Sequence, residues 1–395
     1  MKCAILSPSL PPQPDAQAMV LGTLLSAWDP ADYCLITQKD WIRERQGQTV
    51  HQPLPAQTFY LRPSRQIERC LEWKATWLNG FNPYQAWLLS SRVDQLERII
   101  DRERCDRLVA CTGDVWSIPE AMIVAERQNI PFFIYVFDYY AQQWAQTRYA
   151  TVAQQMEATA FPNAAGIFVT NDRMAEIYRP LNPNVTVLHN PTAIDRPPHV
   201  PEPVGHDVTI TYTGHIYEAH YDAFQRLVAA VTRLNRRWRD HTITIVLATP
   251  QNAVRLRQNG IYGDCVEVRG YLSHDQALTL QSCSDILILP LAFSSPYPDL
   301  IDTSMPGKTG EYLASGVPIL VHAPATSAVT RYVQENVCGM VVDTPNTDAL
   351  GDAIRHLIDD VPDRCRYSAN ARACARRDFD VTTIRKTFRS VIEHL

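Results

Sequence analysis

Two rounds of one pattern, short β-branched runs alternating with longer amphipathic stretches, meet at a proline-dense segment, and no other feature limits the fold of this chain as tightly. Strand candidates in the first round are Lys2 to Ser7, Tyr33 to Thr37, Arg107 to Cys111, Phe132 to Phe137, Gly166 to Thr170 and Val185 to His189, with the longest helical stretch from Pro83 to Arg104. The second round places strands at Val208 to Thr213, Thr242 to Leu247, Cys265 to Arg269, Asp285 to Leu289, Pro318 to Val321 and Gly339 to Val342. Strands and helices alternating in this way build parallel sheets covered on both faces. Between the rounds, Asn190 to His206 holds Pro191, Pro197, Pro198, Pro201 and Pro203, which remove backbone donors and favour extended chain, as a linker requires. A length of 395 residues also exceeds the roughly 250 to 300 at which a single core stops growing. The expected fold is α/β, with two doubly wound Rossmann-like domains facing across a cleft. The first covers residues 1–190, a linker 191–206 and the second domain 207–378; a C-terminal helix follows at 379–395, its return to the first domain left open. Such sheets bind ligands beyond the carboxyl ends of their strands.

The bulk chemistry narrows the partners. The chain is 46% hydrophobic and 20% charged, with a net charge of −5 and no block of like charge, so it lacks the basic footprint of a nucleic-acid binder. Its ten cysteines include no Cys-x-x-Cys pair and are expected to be buried, reduced thiols. The first residues, Met1 to Pro14, are too short and too kinked by proline for a signal peptide. No run approaches the roughly 18 apolar residues of a membrane helix. A cytoplasmic protein is expected. Peripheral membrane contact stays open through the Arg and Trp residues between Arg62 and Lys74, although Glu68 and Glu72 interrupt them.

The chemistry concentrates in Pro290 to Leu320. A strand ends, a polar loop follows, and Gly307 and Lys308 open a helix that stops at Gly316. A helix start offers free backbone N–H groups and a positive dipole end, both suited to phosphate oxygens, and Lys308 adds a formal charge. Glu311, one turn on, suits the paired hydroxyls of a ribose; the alternative is an ordinary solvated helix start. In the first half, Asp138 stands immediately past a buried strand, either as a polar group facing substrate or as a cap on the next helix. Thr112, Gly113 and Asp114 end the preceding strand and are candidates for the same cleft. Seven of the eight tryptophans (Trp28, Trp41, Trp73, Trp77, Trp87, Trp116 and Trp144) precede residue 150, as core filling or as stacking faces for an acceptor.

Pro306, Lys308, Glu311, Tyr312, Leu313, Ala314, Gly316 and Pro318 make the run Pro-x-Lys-x-x-Glu-Tyr-Leu-Ala-x-Gly-x-Pro, which resembles the signature of the retaining GT-B glycosyltransferases of family four. Other pieces resemble that family in its order: Leu6 to Pro12, Val187 to Pro191, Ile210 to Ile216 and Val268 to Pro290. The resemblance implies that Glu311 holds the ribose of a nucleotide-sugar donor and that Lys308 and the Gly214 loop face its diphosphate. It places Ser304, Met305, Pro306 and Gly307 against the donor sugar, and the base near Tyr271. The first domain then holds the acceptor, with Asp138 facing the reacting sugar and Asp15, Gln17, Thr112 and Asp114 beside it. Sugar transfer with retention, needing neither cofactor nor metal, is the implied activity, and no Asp-x-Asp motif is evident to hold a divalent ion. The acceptor is unidentified among glycans, lipid-linked groups and small molecules. Three departures stand out. Thr303 replaces a second Glu, His215 and His220 replace a basic pair at the diphosphate, and Pro14 to Gln17 replace a glycine-rich turn. These histidines are expected to carry part of the diphosphate charge when protonated. A nucleotide-sugar epimerase of similar fold and a non-catalytic nucleotide-sugar-binding partner are the alternatives.

Overall fold

In a computed structural model of the protein, the described residues are 1–13, 15–38, 53–62, 83–195, 204–238 and 241–395. Pro14, Trp41, Trp73, Trp77, the stretch 63–74 and four prolines of the linker (Pro197, Pro198, Pro201 and Pro203) lie outside them. The chain divides into two compact units: Met1–Pro191 with Val381–Leu395, and Thr192–Asp380.

The first unit runs β1 (Cys3–Leu6), α1 (Ala16–Leu25), β2 (Tyr33–Gln38), β3 (Thr58–Leu61), α2 (Pro83–Glu103), β4 (Arg107–Cys111), α3 (Ser117–Gln128), β5 (Phe132–Val136), α4 (Tyr140–Gln143), α5 (Ala150–Asn163), β6 (Gly166–Val169), α6 (Asp172–Tyr178) and β7 (Val185–Val187). Among the described residues, its seven strands are parallel in the order β3-β2-β1-β4-β5-β6-β7, with Ile5 between Leu35 and Val109 at the centre. Strand β3 has no counterpart among the sequence candidates, because an edge strand with a half-exposed pattern shows neither a continuous apolar run nor clean alternation. Helices α2 and α3 are joined through a buried pair, Arg92 Nε to Glu120 Oε1 at 2.6 Å, both side chains almost wholly out of solvent.

The second unit runs β8 (Asp207–Thr213), α7 (Tyr221–Arg237), β9 (Thr242–Ala248), α8 (Ala253–Gln258), β10 (Val266–Val268), α9 (His274–Ser282), β11 (Ile286–Pro290), α10 (Pro298–Asp302), α11 (Thr309–Ser315), β12 (Ile319–His322), α12 (Ala328–Glu335), β13 (Met340–Val342), α13 (Thr347–Asp359) and α14 (Val361–Cys374). Its six strands are parallel in the order β10-β9-β8-β11-β12-β13. Ser273 and Gln276 form the reciprocal capping box their spacing predicts at the start of α9. Thr192 already belongs to this unit, its N–H donating to the Phe379 carbonyl at 2.8 Å.

The last helix, α15 (Val381–His394), belongs to the first unit. It lays Ile384, Phe388 and Ile392 against Trp28, Tyr135 and Phe168 in one face of that unit's core. The spacing of four residues keeps these three side chains on one helical stripe. Of the nine cysteines among the described residues, all free, only Cys283 and Cys365 are exposed.

Candidate functional site

The second sheet reverses its winding direction between its central neighbours β8 and β11. Doubly wound sheets bind ligands at that point, beyond the carboxyl ends of the strands. Strand β8 turns Val208, Ile210 and Tyr212 into the core and ends at Thr213. Gly214 follows with φ +122°, a conformation that side-chain-bearing residues rarely adopt. A Cβ there would lie 3.1 Å from Lys308 Cε and 3.2 Å from Nζ, so glycine also makes room for the lysine.

Lys308 stands at the N-cap of α11. Its ammonium donates to Tyr212 Oη at 3.1 Å and sits 4.4 Å from the centre of the same ring. Tyr212 in turn donates to the His215 carbonyl at 2.7 Å, which fixes the phenol as an acceptor for the lysine. No carboxylate pairs with Lys308 among the described residues. Burial lowers its pKa, and the nearby Tyr312 and Glu311 oppose that shift. The result is a partly dehydrated cation, resting on an aromatic face, with donors available to an anion.

Glu311 lies one turn further along, its side chain 19% exposed. Its Oε2 accepts from Gln281 Nε2 at 3.0 Å, and its Oε1 is 3.7 Å from His274 Nδ1, an ion pair when the imidazole is protonated. Tyr312 accepts the Thr213 N–H at 2.9 Å, tying α11 to the end of β8. Gly316 ends the helix in the left-handed conformation, φ +73°, as its place in the motif requires.

The other sequence-predicted residues divide. His215 and Tyr271 are exposed, Tyr271 at 63%. Ser304, Met305 and Pro306 are half-buried and Gly307 is exposed, all on the approach to α11. Thr303 is buried, with its hydroxyl bonded back to the Asp299 carbonyl at 2.9 Å. The surroundings of His220 oppose the protonated state expected of a partner for phosphate. The imidazole is buried, its Nδ1 accepts the Tyr217 N–H at 3.4 Å, and burial, with Lys308 nearby, pushes its pKa down to about 3.

In the first unit, Asp15 caps α1 through Ala18 N at 3.0 Å and accepts from the Ser9 hydroxyl. Gln17 donates to Ser7 Oγ at 2.9 Å. Thr112 is buried and accepts the Phe137 N–H at 2.9 Å. Asp114 accepts from Trp116 N and Ser117 N at 3.0 and 2.7 Å, at the start of α3. Local structure therefore engages all four. Asp138 differs: it is exposed, it accepts from Gln143 Nε2 at 3.0 Å, and Tyr139 rather than Asp138 is the N-cap of α4. Protein packed around its carboxyl raises the pKa, and the Gln143 hydrogen bond opposes the rise. Trp28 is core, its ring tilted against that of Phe388 with centroids 5.7 Å apart, whereas Trp87 is exposed.

For metals, one Asp-x-Asp run does exist, Asp378-Phe379-Asp380, a correction to the reading of the sequence. Asp378 is engaged by Arg377 at 2.6 Å and by the Tyr332 hydroxyl at 2.5 Å. Among the described residues, His356, Asp360 and Asp363 come close enough to share an ion. There too the ligands are taken: Asp363 binds His356 at 2.8 Å and Arg366 at 2.9 Å, and Asp360 caps α14.

Comparison with known proteins bears on the same unit. Residues 207–360 match the family described as Glycosyl transferases group 1. No curated protein matches the chain. Among solved structures, sucrose-phosphate synthase from Thermosynechococcus elongatus is similar at a TM-score of 0.71 and 14% identity, over 100% of this chain and 98% of that one. HepE from Anabaena, solved in complex with UDP and glucose, is similar at 0.68 and 14%, over 100% of both chains. WaaG, a glycosyltransferase involved in lipopolysaccharide biosynthesis, is similar at 0.63 and 13%, again over 100% of both. The fold is GT-B, with two Rossmann-like units, and the segment that matches the glycosyltransferase family lies in the second of them. No described helix is long and apolar enough to cross a membrane.

Proposed function

We propose that the chain transfers a sugar, with retained anomeric configuration and without a metal, from a UDP- or GDP-linked donor bound in the second unit to an acceptor hydroxyl. The observation that carries this is the Lys308 ammonium, which is part-buried, seated on Tyr212 against Gly214, and has no carboxylate partner among the described residues. Its chemistry matches a leaving nucleoside diphosphate. When the bond from the sugar's anomeric carbon to the diphosphate oxygen breaks, negative charge grows on that oxygen, and a fixed cation in a partly dehydrated setting stabilises it. Glu311 accepts from the ribose hydroxyls and sets the donor's register. Thr303, with its hydroxyl turned inward, takes no part, and His220 is a neutral wall rather than a counter-charge. The first unit is assigned the acceptor, and Asp138 its hydroxyl, whose proton a carboxyl of raised pKa is suited to accept.

The binding of UDP and glucose by HepE supports the donor class, and the signature from Pro306 to Pro318 supports retention. A transfer assay with a panel of UDP- and GDP-sugars in the presence of EDTA tests the proposal. Release of nucleoside diphosphate without added metal is expected. An isomerised sugar would indicate epimerisation instead, and binding without turnover a partner protein.

A further inference from the structure

Gln281, on α9, is fully buried. Its Nε2 donates to Glu311 Oε2 at 3.0 Å and to Thr213 Oγ1 at 3.1 Å, while Oε1 meets no donor. An amide nitrogen carries two hydrogens, so two partners commit both. The opposite orientation would set the amide oxygen against the Glu311 carboxylate, so electrostatics fixes this one. A buried side chain that leaves its own oxygen unmatched in order to serve two other groups is arranged for those groups.

We infer that Gln281 is a positioning residue for donor binding: it holds one oxygen of Glu311 so that the other, Oε1, is presented to the ribose hydroxyls. Through Thr213, the residue before Gly214, the same amide ties the ribose carboxylate to the turn that admits Lys308. The inference rests on the reading of Glu311 given above.

The test uses calorimetric titration of the full chain with UDP and with GDP, carrying the tighter of the two forward to its 2′,3′-dideoxy counterpart. Wild-type protein is expected to bind the dideoxy nucleotide about tenfold more weakly, as loss of hydrogen bonds to a carboxylate implies. Gln281→Met keeps the volume and removes both donors; it should bind the ribonucleotide about tenfold more weakly than wild type and the dideoxy nucleotide equally well. Gln281→Asn, an amide one methylene shorter that cannot span both partners, should repeat the pattern, so the result does not hang on how methionine packs. A merely structural role would weaken both nucleotides by the same factor, and that outcome, or no change in either, overturns the inference. Glu311→Ala separates the two ideas. If it abolishes the preference for ribose hydroxyls while both Gln281 variants keep it, only the inference about Gln281 fails. If Glu311→Ala keeps the preference, or neither nucleotide binds wild type, the reading of the site fails first.

Discussion

At the scale of single residues, what decides the site is charge state, and burial sets it. Lys308 is the cation that meets the proposed diphosphate, so Lys308→Met should weaken nucleoside diphosphate binding by about 1.5–3 kcal/mol, the range for hydrogen bonds to charged groups. Calorimetry with UDP or GDP checks this; an unchanged dissociation constant would remove Lys308 from the site. The pH dependence follows from the same group. A lysine whose pKa is lowered on folding binds fewer protons in the folded than in the unfolded protein, so its burial costs less stability as pH rises. Anion binding needs the charged form. Donor affinity should therefore fall with rising pH through the lowered pKa of Lys308, earlier than the usual lysine value of about 10.4. His220, pushed to about 3, does not change charge between about pH 6 and 8, and His220→Asn should leave the affinity profile in that window parallel to wild type. A profile that flattens in the variant would restore the histidine as a phosphate partner. Residue identity alone does not show the burial of His220, because the sequence shows an imidazole near a glycine turn but not the depth at which it lies. Gln281 was equally invisible: nothing in the run from Leu278 to Asp285 distinguishes a buried amide from an ordinary helical glutamine.

At the scale of elements, strands are legible as short β-branched runs, and each of the twelve sequence candidates has its strand. Strand β3 escaped because Thr58–Leu61, at a sheet edge, has no β-branched run: Thr58 is its one β-branched residue. Helix α11 was legible for a different reason: the fixed spacing from Pro306 to Gly316 encodes a helix start, a charged first turn and a glycine stop. Asp15 and Asp114 had polar identities suited to a cleft, yet both are helix-start acceptors, a use the sequence leaves open. Between α2 and α3, the buried pair Arg92 and Glu120 carries its own prediction. Glu120→Ala would strand a buried guanidinium, and a loss of about 3–5 kcal/mol in urea unfolding is expected. A loss below about 1 kcal/mol, the range of surface pairs, would show that the pair is solvated in solution.

At the scale of the whole molecule, the described residues form two sheets built by one rule, with the last helix belonging to the first unit. Because Ile384, Phe388 and Ile392 complete a core face of that unit, removing residues 381–395 should lower its melting transition while the second unit keeps its own. Scanning calorimetry that showed both transitions unmoved would contradict that account of the helix. The account's central claim concerns the second unit: that Lys308 and Glu311 form the binding site for a nucleotide-sugar donor. Its most direct test is calorimetric titration of wild type and Glu311→Ala with UDP- and GDP-linked sugars in EDTA. The predicted result is saturable binding of a donor by wild type, weakened in the variant by about 1–3 kcal/mol with the fold intact. Equal affinity in the two proteins, or no binding of any such donor, would contradict it.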